Sequence, residues 1–227
     1  MSYKFDFTFL LEKWPIVLNG MWLTVQLTIM SIALGFILGC ICALVRVYGG
    51  RTVRMIVGTY VELIRNTPLL IQIFIVYFGL SSIGFKLSAE VSATIALVIN
   101  MGAYTTEIMR AGIQSIHRTQ LETADCLGLT RLQAILHIVL LPAIERVYPA
   151  LSSQFVLLML ASSITSQISA EELTAVANNI QSETYRSFEI YIIVAIVYLI
   201  LSLVYRIIFK ALAHMLFPRR RKLGTPL

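Results

Sequence analysis

The sequence is poor in charge. Only 13% of its 227 residues are Asp, Glu, Lys or Arg, whereas 58% are hydrophobic. Soluble domains of similar size carry about a quarter charged residues. This shortage excludes a soluble domain and predicts an integral membrane protein.

Residues that bind metals, form disulfides or hold nucleotides are also scarce. The three cysteines, Cys40, Cys42 and Cys126, are odd in number and lack metal-ligand spacing, which argues against a disulfide framework or a zinc site. The three histidines are scattered and support no metal site. The chain has no GxxxxGK(S/T) phosphate-binding loop and no other nucleotide motif, so we expect it to bind no nucleotide. We predict no bound cofactor and no enzyme activity of its own.

Long hydrophobic runs are abundant. Each is near or above the roughly 20 residues that a helix needs to cross about 30 Å of hydrocarbon. We predict an all-α membrane protein with a single domain over residues 1–227 and five spanning helices, at about 16–45, 55–81, 88–108, 149–169 and 188–210. The first run is far longer than the hydrophobic part of a signal peptide, so we expect it to be retained.

Basic residues collect beside one set of span ends, and by the positive-inside rule these regions face the cytoplasm. They are Arg46, Arg51, Arg54, Arg110, Arg118, Arg131, Arg146, Arg206, Lys210 and residues 219–222. We therefore predict an outer N-terminus and a cytoplasmic C-terminus. The net charge of +6 is interpreted as contact with anionic membrane lipid, with no nucleic acid partner.

The second span is irregular. Pro68 removes a backbone donor and pushes Thr67 out of helical geometry, which predicts a broken helix at this point. Arg65 lies inside this span, and Glu62 is its expected ion partner. Charges within a membrane are costly, so the pair is interpreted either as functional or as a structural brace of the break.

The first span carries a stripe of small residues. Ser31, Gly35, Gly39 and Ala43 recur at four-residue intervals. Such a stripe lets a second helix approach closely. The approaching helix is predicted to come either from this chain or from another copy.

The loop at about 111–148 is longer than a plain connector needs. Around Leu121, Ala124, Leu127 and Gly128 it offers a small apolar face flanked by charged residues. This pattern favours docking to a soluble partner. The alternative is an amphipathic helix that lies on the lipid surface.

Three blocks of sequence resemble the permease subunits of polar amino-acid importers of the ATP-binding-cassette type. The first is RNTPLLIQ, at 65–72. The second is similar to the cytoplasmic EAA loop of the family and is carried by Glu122, Ala124, Gly128, Ile138 and Pro142, with Thr123 in place of the central Ala. The third lies at the outer end of the fourth span and is carried by Ser163, Ile164, Ser166, Ile168, Glu172 and Leu173.

The resemblance implies the membrane-spanning permease subunit of an ATP-driven importer in the bacterial inner membrane. Its substrate would be a polar amino acid, with glutamate, glutamine and aspartate as candidates. ATP and Mg would be bound by separate ATPase subunits. The other expected partners are a second permease chain, identical or homologous, and an extracytoplasmic amino-acid-binding protein, for which the acidic stretch from Glu171 to Glu189 is a candidate contact.

The resemblance also implies a coupling helix between spans three and four, at about 116–129, that docks in a groove of the ATPase. The residues predicted to couple the two subunits are Gln120, Glu122, Ala124, Asp125, Leu127 and Gly128. Glu62, Pro68 and Pro142 are predicted to be structural.

Polar side chains within the spans are candidates for the substrate path: Arg65, Asn66, Asn100, Glu107, Ser163, Thr165 and Gln167. An amino acid brings a carboxylate and an ammonium group, so Arg65 together with Glu107 or Asn100 is a minimal complement. Each side chain is alternatively a helix-packing hydrogen-bond partner. A passive channel lined by Arg65 and Asn100 is the rival function, and an intramembrane enzyme that uses Glu107 and His117 is a second rival.

Overall fold

The structure is a computed structural model, and it describes residues 5–217. Every regular element in this range is helical. The α-helices are α1 Phe9–Tyr48, α2 Arg51–Arg65, α3 Leu69–Phe74, α4 Leu80–Ser82, α5 Ala89–Gln114, α6 Arg118–Cys126, α7 Arg131–Gln133, α8 Leu141–Ala161, α9 Leu173–Thr184 and α10 Ser187–Leu216. Two π-helical turns, Ile75–Gly79 and Ala134–Leu140, and a 3-10 helix, Ser162–Ile168, complete the set. The basic cluster at 219–222, used above for orientation, lies outside the described residues.

Three helical stretches are long and apolar enough to cross a membrane: Phe9–Tyr48, Arg131–Ile168 and Ser187–Leu216. A fourth candidate is the pair α2 and α3–α4, which is bent by 111° at a break. Among the described residues the structure thus supports three or four spans, where the sequence predicted five. The difference is α5, which has 26 residues but also carries Glu90, Glu107 and Arg110.

The small-residue stripe of α1 faces the interior of this chain. Ser31, Gly35, Gly39 and Ala43 are all buried. A Cβ added at Gly39 would collide with Thr105 of α5 and would lie 3.0 Å from the carbonyl oxygen of Gly102. The helix that approaches Gly39 therefore belongs to the same chain.

The predicted break in the second span is present. α2 ends at Arg65, and Pro68 precedes α3 with an extended backbone, φ −62° and ψ 138°. The Gln72 amide donates hydrogen bonds to the carbonyl oxygen and to the Oγ1 of Thr67, both at 3.0 Å. Backbone groups at membrane depth need partners within the protein, so Gln72 stabilises the broken segment.

The chain forms two compact units. Unit 1 comprises the described parts of residues 1–32, 67–98 and 156–205, and unit 2 those of 33–66, 99–155 and 206–227. The core of unit 1 is built from small and branched apolar side chains, namely Leu27, Ile73, Ala93, Ala96, Ile168 and Ala170. In unit 2, Met101, Met109 and Val139 are fully buried. Each unit therefore has its own apolar core.

Candidate functional site

Helix α6, in unit 2, exposes most of its surface. Five of the six predicted coupling residues are exposed: Gln120, Glu122, Asp125, Leu127 and Gly128. The sixth, Ala124, is only 1% exposed. α6 packs against the π-helical turn 134–140, where Ala134 and Val139 are buried. The small side chain of Ala124 thus belongs to the inner side of α6, and the charged face remains available to a partner.

A glycine ends α6 and turns the chain. Gly128 has a positive φ of 70°, which L-residues with a side chain rarely adopt. The Leu129 N–H donates to the Ala124 carbonyl at 3.1 Å and the Gly128 N–H to the Asp125 carbonyl at 3.0 Å. This pair of bonds is a Schellman motif. α6 therefore ends earlier than the helix predicted for 116–129.

The chain after this turn is also fixed locally. Thr130 and Gln133 form a capping box, in which the Thr130 N–H donates to Gln133 Oε1 at 2.9 Å and the Gln133 N–H to Thr130 Oγ1 at 3.4 Å. Leu127 and Leu132, on either side of the turn, are 72% and 66% exposed. The segment thus has hydrogen-bonded caps on either side of its turn and carries exposed leucines.

Glu107 lies at the centre of an ion cluster in unit 2. Its carboxylate accepts hydrogen bonds from Arg110, the shortest from Nη2 at 2.7 Å, and lies 3.5 Å from Nη2 of Arg46. The Glu107 side chain is 17% exposed. It was predicted as an acceptor for the substrate ammonium group, but its oxygens are already held by two arginines. The geometry is that of a brace between α1 and α5.

Arg65 does not form the predicted ion pair. Its guanidinium lies 5.4 Å from the ring centroid of Tyr104, a cation–π contact. Glu62 instead accepts a hydrogen bond from Asn66 Nδ2, at 3.2 Å to Oε2, and Asn66 Nδ2 also donates to the Glu62 carbonyl at 2.8 Å. At the end of α2, Glu62 therefore bonds to Asn66 and not to Arg65. The Arg65 side chain stays exposed.

The other predicted path residues differ in accessibility. Asn100 is 8% exposed. In the 3-10 helix of unit 1, the Ser163 and Thr165 hydroxyls donate to the carbonyls of Leu160 and Ser162 at 2.8 and 2.7 Å. Gln167 is exposed. The hydroxyl protons of Ser163 and Thr165 are thus used in hydrogen bonds to the preceding turn of the chain.

Comparison with protein families identifies the chain. Residues 35–217 match the model of the family described as "Binding-protein-dependent transport system inner membrane component". The chain belongs to this family. It is therefore a permease of the inner membrane.

Known relatives of this permease are amino-acid transport proteins. It is 37% identical over 194 residues to the probable glutamine ABC transporter permease protein of Bacillus subtilis, covering 86% of this chain and 90% of the relative. It is 35% identical over 226 residues to an octopine transport system permease protein of Rhizobium radiobacter, covering 96% and 92%. A solved structure titled "Crystal structure of an amino acid ABC transporter with histidines" matches with a TM-score of 0.84 and 34% identity, covering 94% of this chain and 100% of that one. The resemblance to polar amino-acid permeases is confirmed.

Among the residues that the structure describes, the permease contains a buried carboxyl network that sequence reasoning missed. Glu172 is 0% exposed and precedes α9. Its Oε1 accepts hydrogen bonds from the N–H groups of Thr174 and Ala175 at 2.9 and 3.0 Å, and its Oε2 accepts one from the Tyr198 hydroxyl at 2.8 Å. Burial raises the pKa of the Glu172 carboxyl, while these hydrogen bonds act to lower it. Glu is not a preferred helix cap, so no rule of sequence pointed to this role.

The acidic stretch from Glu171 to Glu189 is less available than predicted. Glu172 and Glu189 are both 0% exposed, whereas Glu171 and Glu183 are exposed. Glu183 also forms an ion pair with Lys13. Buried carboxyls cannot meet a docking protein, so only part of this stretch remains a candidate contact.

Proposed function

We propose that this permease is the five-helix membrane subunit of an ATP-driven importer for a polar amino acid. Its partners are separate ATPase subunits, a second permease chain and an extracytoplasmic binding protein. The single observation that carries the proposal is α6: a short helix with an exposed charged face, closed by a glycine turn. A passive channel has no need of such a docking element.

The proposed docking surface is the exposed side of α6 together with Leu127. Glu122 and Asp125 offer acceptors to basic groups of an ATPase, and Leu127 offers an apolar contact. Ala124 acts from the inner side, by keeping α6 close to the 134–140 turn. Interfaces commonly combine an apolar centre with a polar rim, and this surface has both parts.

In the proposed topology α5 is the third span, which gives five spans, an outer N-terminus and a cytoplasmic α6. Cys126 tests this arrangement, because it is exposed at the end of α6. In a Cys40→Ser/Cys42→Ser background, a membrane-impermeant maleimide should label Cys126 in inverted vesicles and not in intact cells. Equal labelling from outside would reject the topology.

The proposed substrate is a polar amino acid, with glutamate, glutamine and aspartate as candidates. Support comes from relatives that are named for glutamine and octopine transport. Arg65 is the cation proposed to receive the substrate carboxylate, since it is exposed and lies beside the Tyr104 ring. Glu107, which is already paired, is assigned a bracing role instead.

Uptake into proteoliposomes tests the function. The permease would be reconstituted with its co-purifying ATPase and binding protein, and labelled amino acids supplied with and without internal ATP. Accumulation that requires ATP is expected for one class of polar amino acid. Flux without ATP would favour a channel, and failure of every amino acid with the ATPase still bound would reject the substrate class.

Gly128→Arg tests the coupling role of α6. Gly128 and Gly84 both have a positive φ, 70° and 96°, and neither has any atom within 4 Å of an added Cβ. Gly84→Arg is therefore a matched control outside the coupling segment. Gly128→Arg should abolish ATP-driven uptake with normal membrane insertion, whereas Gly84→Arg should retain it. Normal uptake by Gly128→Arg would remove the coupling role.

A further inference from the structure

The two helices that flank the coupling segment are joined to each other within unit 2. The segment at 116–130 contains α6. It follows α5 along the chain and is connected to α8 through the 134–140 turn. If α5 and α8 made no contact with each other, α6 could move relative to either helix separately. The contacts between α5 and α8 therefore decide how such a motion is transmitted.

The first contact is polar. Nη1 of Arg146, in α8, donates hydrogen bonds to the carbonyl oxygen of Ser115 and, at 3.1 Å, to the Ser115 Oγ. Ser115 follows the last residue of α5, where carbonyl groups lack partners within the helix. A cation also interacts favourably with the negative end of the helix dipole. Arg146 thus caps the end of α5 from a different helix.

The second contact is steric and lies about one helical turn earlier in α5. A Cβ added at Gly112 would lie 2.8 Å from Cγ1 of Val147 and 3.0 Å from the carbonyl oxygen of Ala143. Ala143 is 0% exposed. The two backbones therefore approach closely at Gly112, next to the residue that carries the polar contact.

We propose that Arg146 is a positioning residue for energy coupling: it locks the end of α5 to α8, so that α6 moves both helices as one body. The Gly112–Val147 contact holds the helices side by side, and the Arg146–Ser115 bonds prevent the end of α5 from peeling away. This inference rests on the proposed function of α6 as the coupling helix. Arg146 does not touch the substrate or the ATPase in this scheme.

The test compares four proteins in the reconstituted system: wild type, Arg146→Ala, Arg146→Lys and Arg206→Ala. Arg206 is an exposed arginine in α10 and serves as the matched control. Both uptake and ATP hydrolysis would be measured. Arg146→Ala should keep ATP hydrolysis within twofold of wild type while uptake per ATP falls about tenfold, the factor that corresponds to loss of a hydrogen bond to a charged group.

The conservative variant and the control sharpen the result. Lys is a single flexible donor with a charge, so Arg146→Lys should recover part of the uptake per ATP. Arg206→Ala should match wild type. Unchanged uptake per ATP in Arg146→Ala would overturn the proposal. A parallel fall of uptake and hydrolysis would also overturn it, because that result indicates a merely structural role.

A second readout separates this inference from the proposed function. In the Cys40→Ser/Cys42→Ser background, a spin label on Cys126 reports the mobility of α6 without any transport assay. Arg146→Ala should increase the label mobility, and Arg206→Ala should not. If wild type shows no ATP-driven uptake, the proposed function has failed, and the label then decides alone: equal mobility in Arg146→Ala and wild type overturns the lock.

Discussion

Unit 1 and unit 2 each hold a carboxyl group that is largely shielded from solvent, but they stabilise it by different means. In unit 2, Glu107 lies between Arg110 and Arg46 in an ion cluster. In unit 1, Glu172 accepts hydrogen bonds from the backbone N–H groups at the start of α9 and from Tyr198, and within residues 5–217 it forms no ion pair. One carboxyl depends on cations from its own and another helix, and the other depends on neutral donors.

The difference predicts different consequences of removing each carboxyl. Loss of one partner from the partly buried Glu107 cluster leaves uncompensated charge, which is costly where solvent screens it incompletely. Loss of a capping acceptor leaves neutral N–H groups without a partner, which costs less. The two units can therefore be distinguished by mutations that remove charge, hydrogen bonding or both.

The largest effect is expected for Glu107→Ala. The substitution leaves Arg46 and Arg110 with like charges near each other, so the free energy of unfolding in detergent should fall by about 3 kcal/mol. Glu171→Ala, an exposed acid in unit 1, is the control and should change it little. The measurement is denaturant unfolding of the purified permease.

A double-mutant cycle tests the same pair. Arg46→Met removes the second cation, and the double variant Glu107→Ala/Arg46→Met should lose less stability than the two single losses together. Strict additivity would show that Glu107 and Arg46 do not interact in the folded protein. An ion pair between Glu107 and Arg46 would then not account for the stability of unit 2.

The next effect is expected for Glu172→Ala, at about 2 kcal/mol, because the N–H groups of Thr174 and Ala175 lose their acceptor. Glu172→Gln keeps an acceptor oxygen and should lose less than half as much. Equal losses in both variants would show that the charge of Glu172, and not its hydrogen bonding, stabilises unit 1.

The pH dependence gives a further test of Glu172. Its pKa in the folded protein is raised above the unfolded value, so the folded state binds the proton more tightly. The resulting stability is fully present below the unfolded pKa and is lost as the pH rises through the folded pKa. Glu172→Gln should lack this decrease, as pH-dependent unfolding of the two proteins would reveal.

A smaller effect compares the left-handed turns of the two units. Gly128→Ala in unit 2 should lower stability by about 1 kcal/mol, because a side chain is unfavourable at positive φ. In unit 1, Tyr185 already has a φ of 57° and is 86% exposed. Tyr185→Gly should change stability less, since relief of strain is offset by greater freedom of the unfolded chain. Thermal unfolding would measure both.

The smallest effect concerns Arg65 of unit 2 and its cation–π contact. Tyr104→Leu removes the ring beneath Arg65 and should cost about 0.5 kcal/mol, as expected of an exposed cation–π contact. Tyr104→Phe keeps the ring and should be close to neutral. A loss above about 2 kcal/mol in Tyr104→Phe would show that the hydroxyl, not the ring, stabilises this region.

Local chemistry was the predictable part of the molecule. Pro68 and Thr67 identified the break in the second span. This feature depends on residues within a few positions of one another, whose backbone preferences can be deduced directly. The family resemblance was likewise carried by short blocks of sequence.

The partners of charged side chains were not predictable, whether they lie near or far along the chain. The Glu62–Arg65 pair was inferred from helical spacing alone, but the amide of Asn66 competes for Glu62 and Tyr104 for Arg65. The contacts of Glu172 with Tyr198 and of Arg146 with Ser115 join different helices. Such pairs depend on how helices pack, which no periodicity in one helix reveals.

The stripe of small residues in α1 has a consequence for biosynthesis. The space beside Gly39 is filled only when Thr105, a residue of a later helix, packs against it. At about 5–20 residues per second, several seconds of synthesis separate the two. During that interval the stripe of the nascent chain faces lipid or the insertion machinery, so α1 must wait for α5 before this part of the protein can assemble.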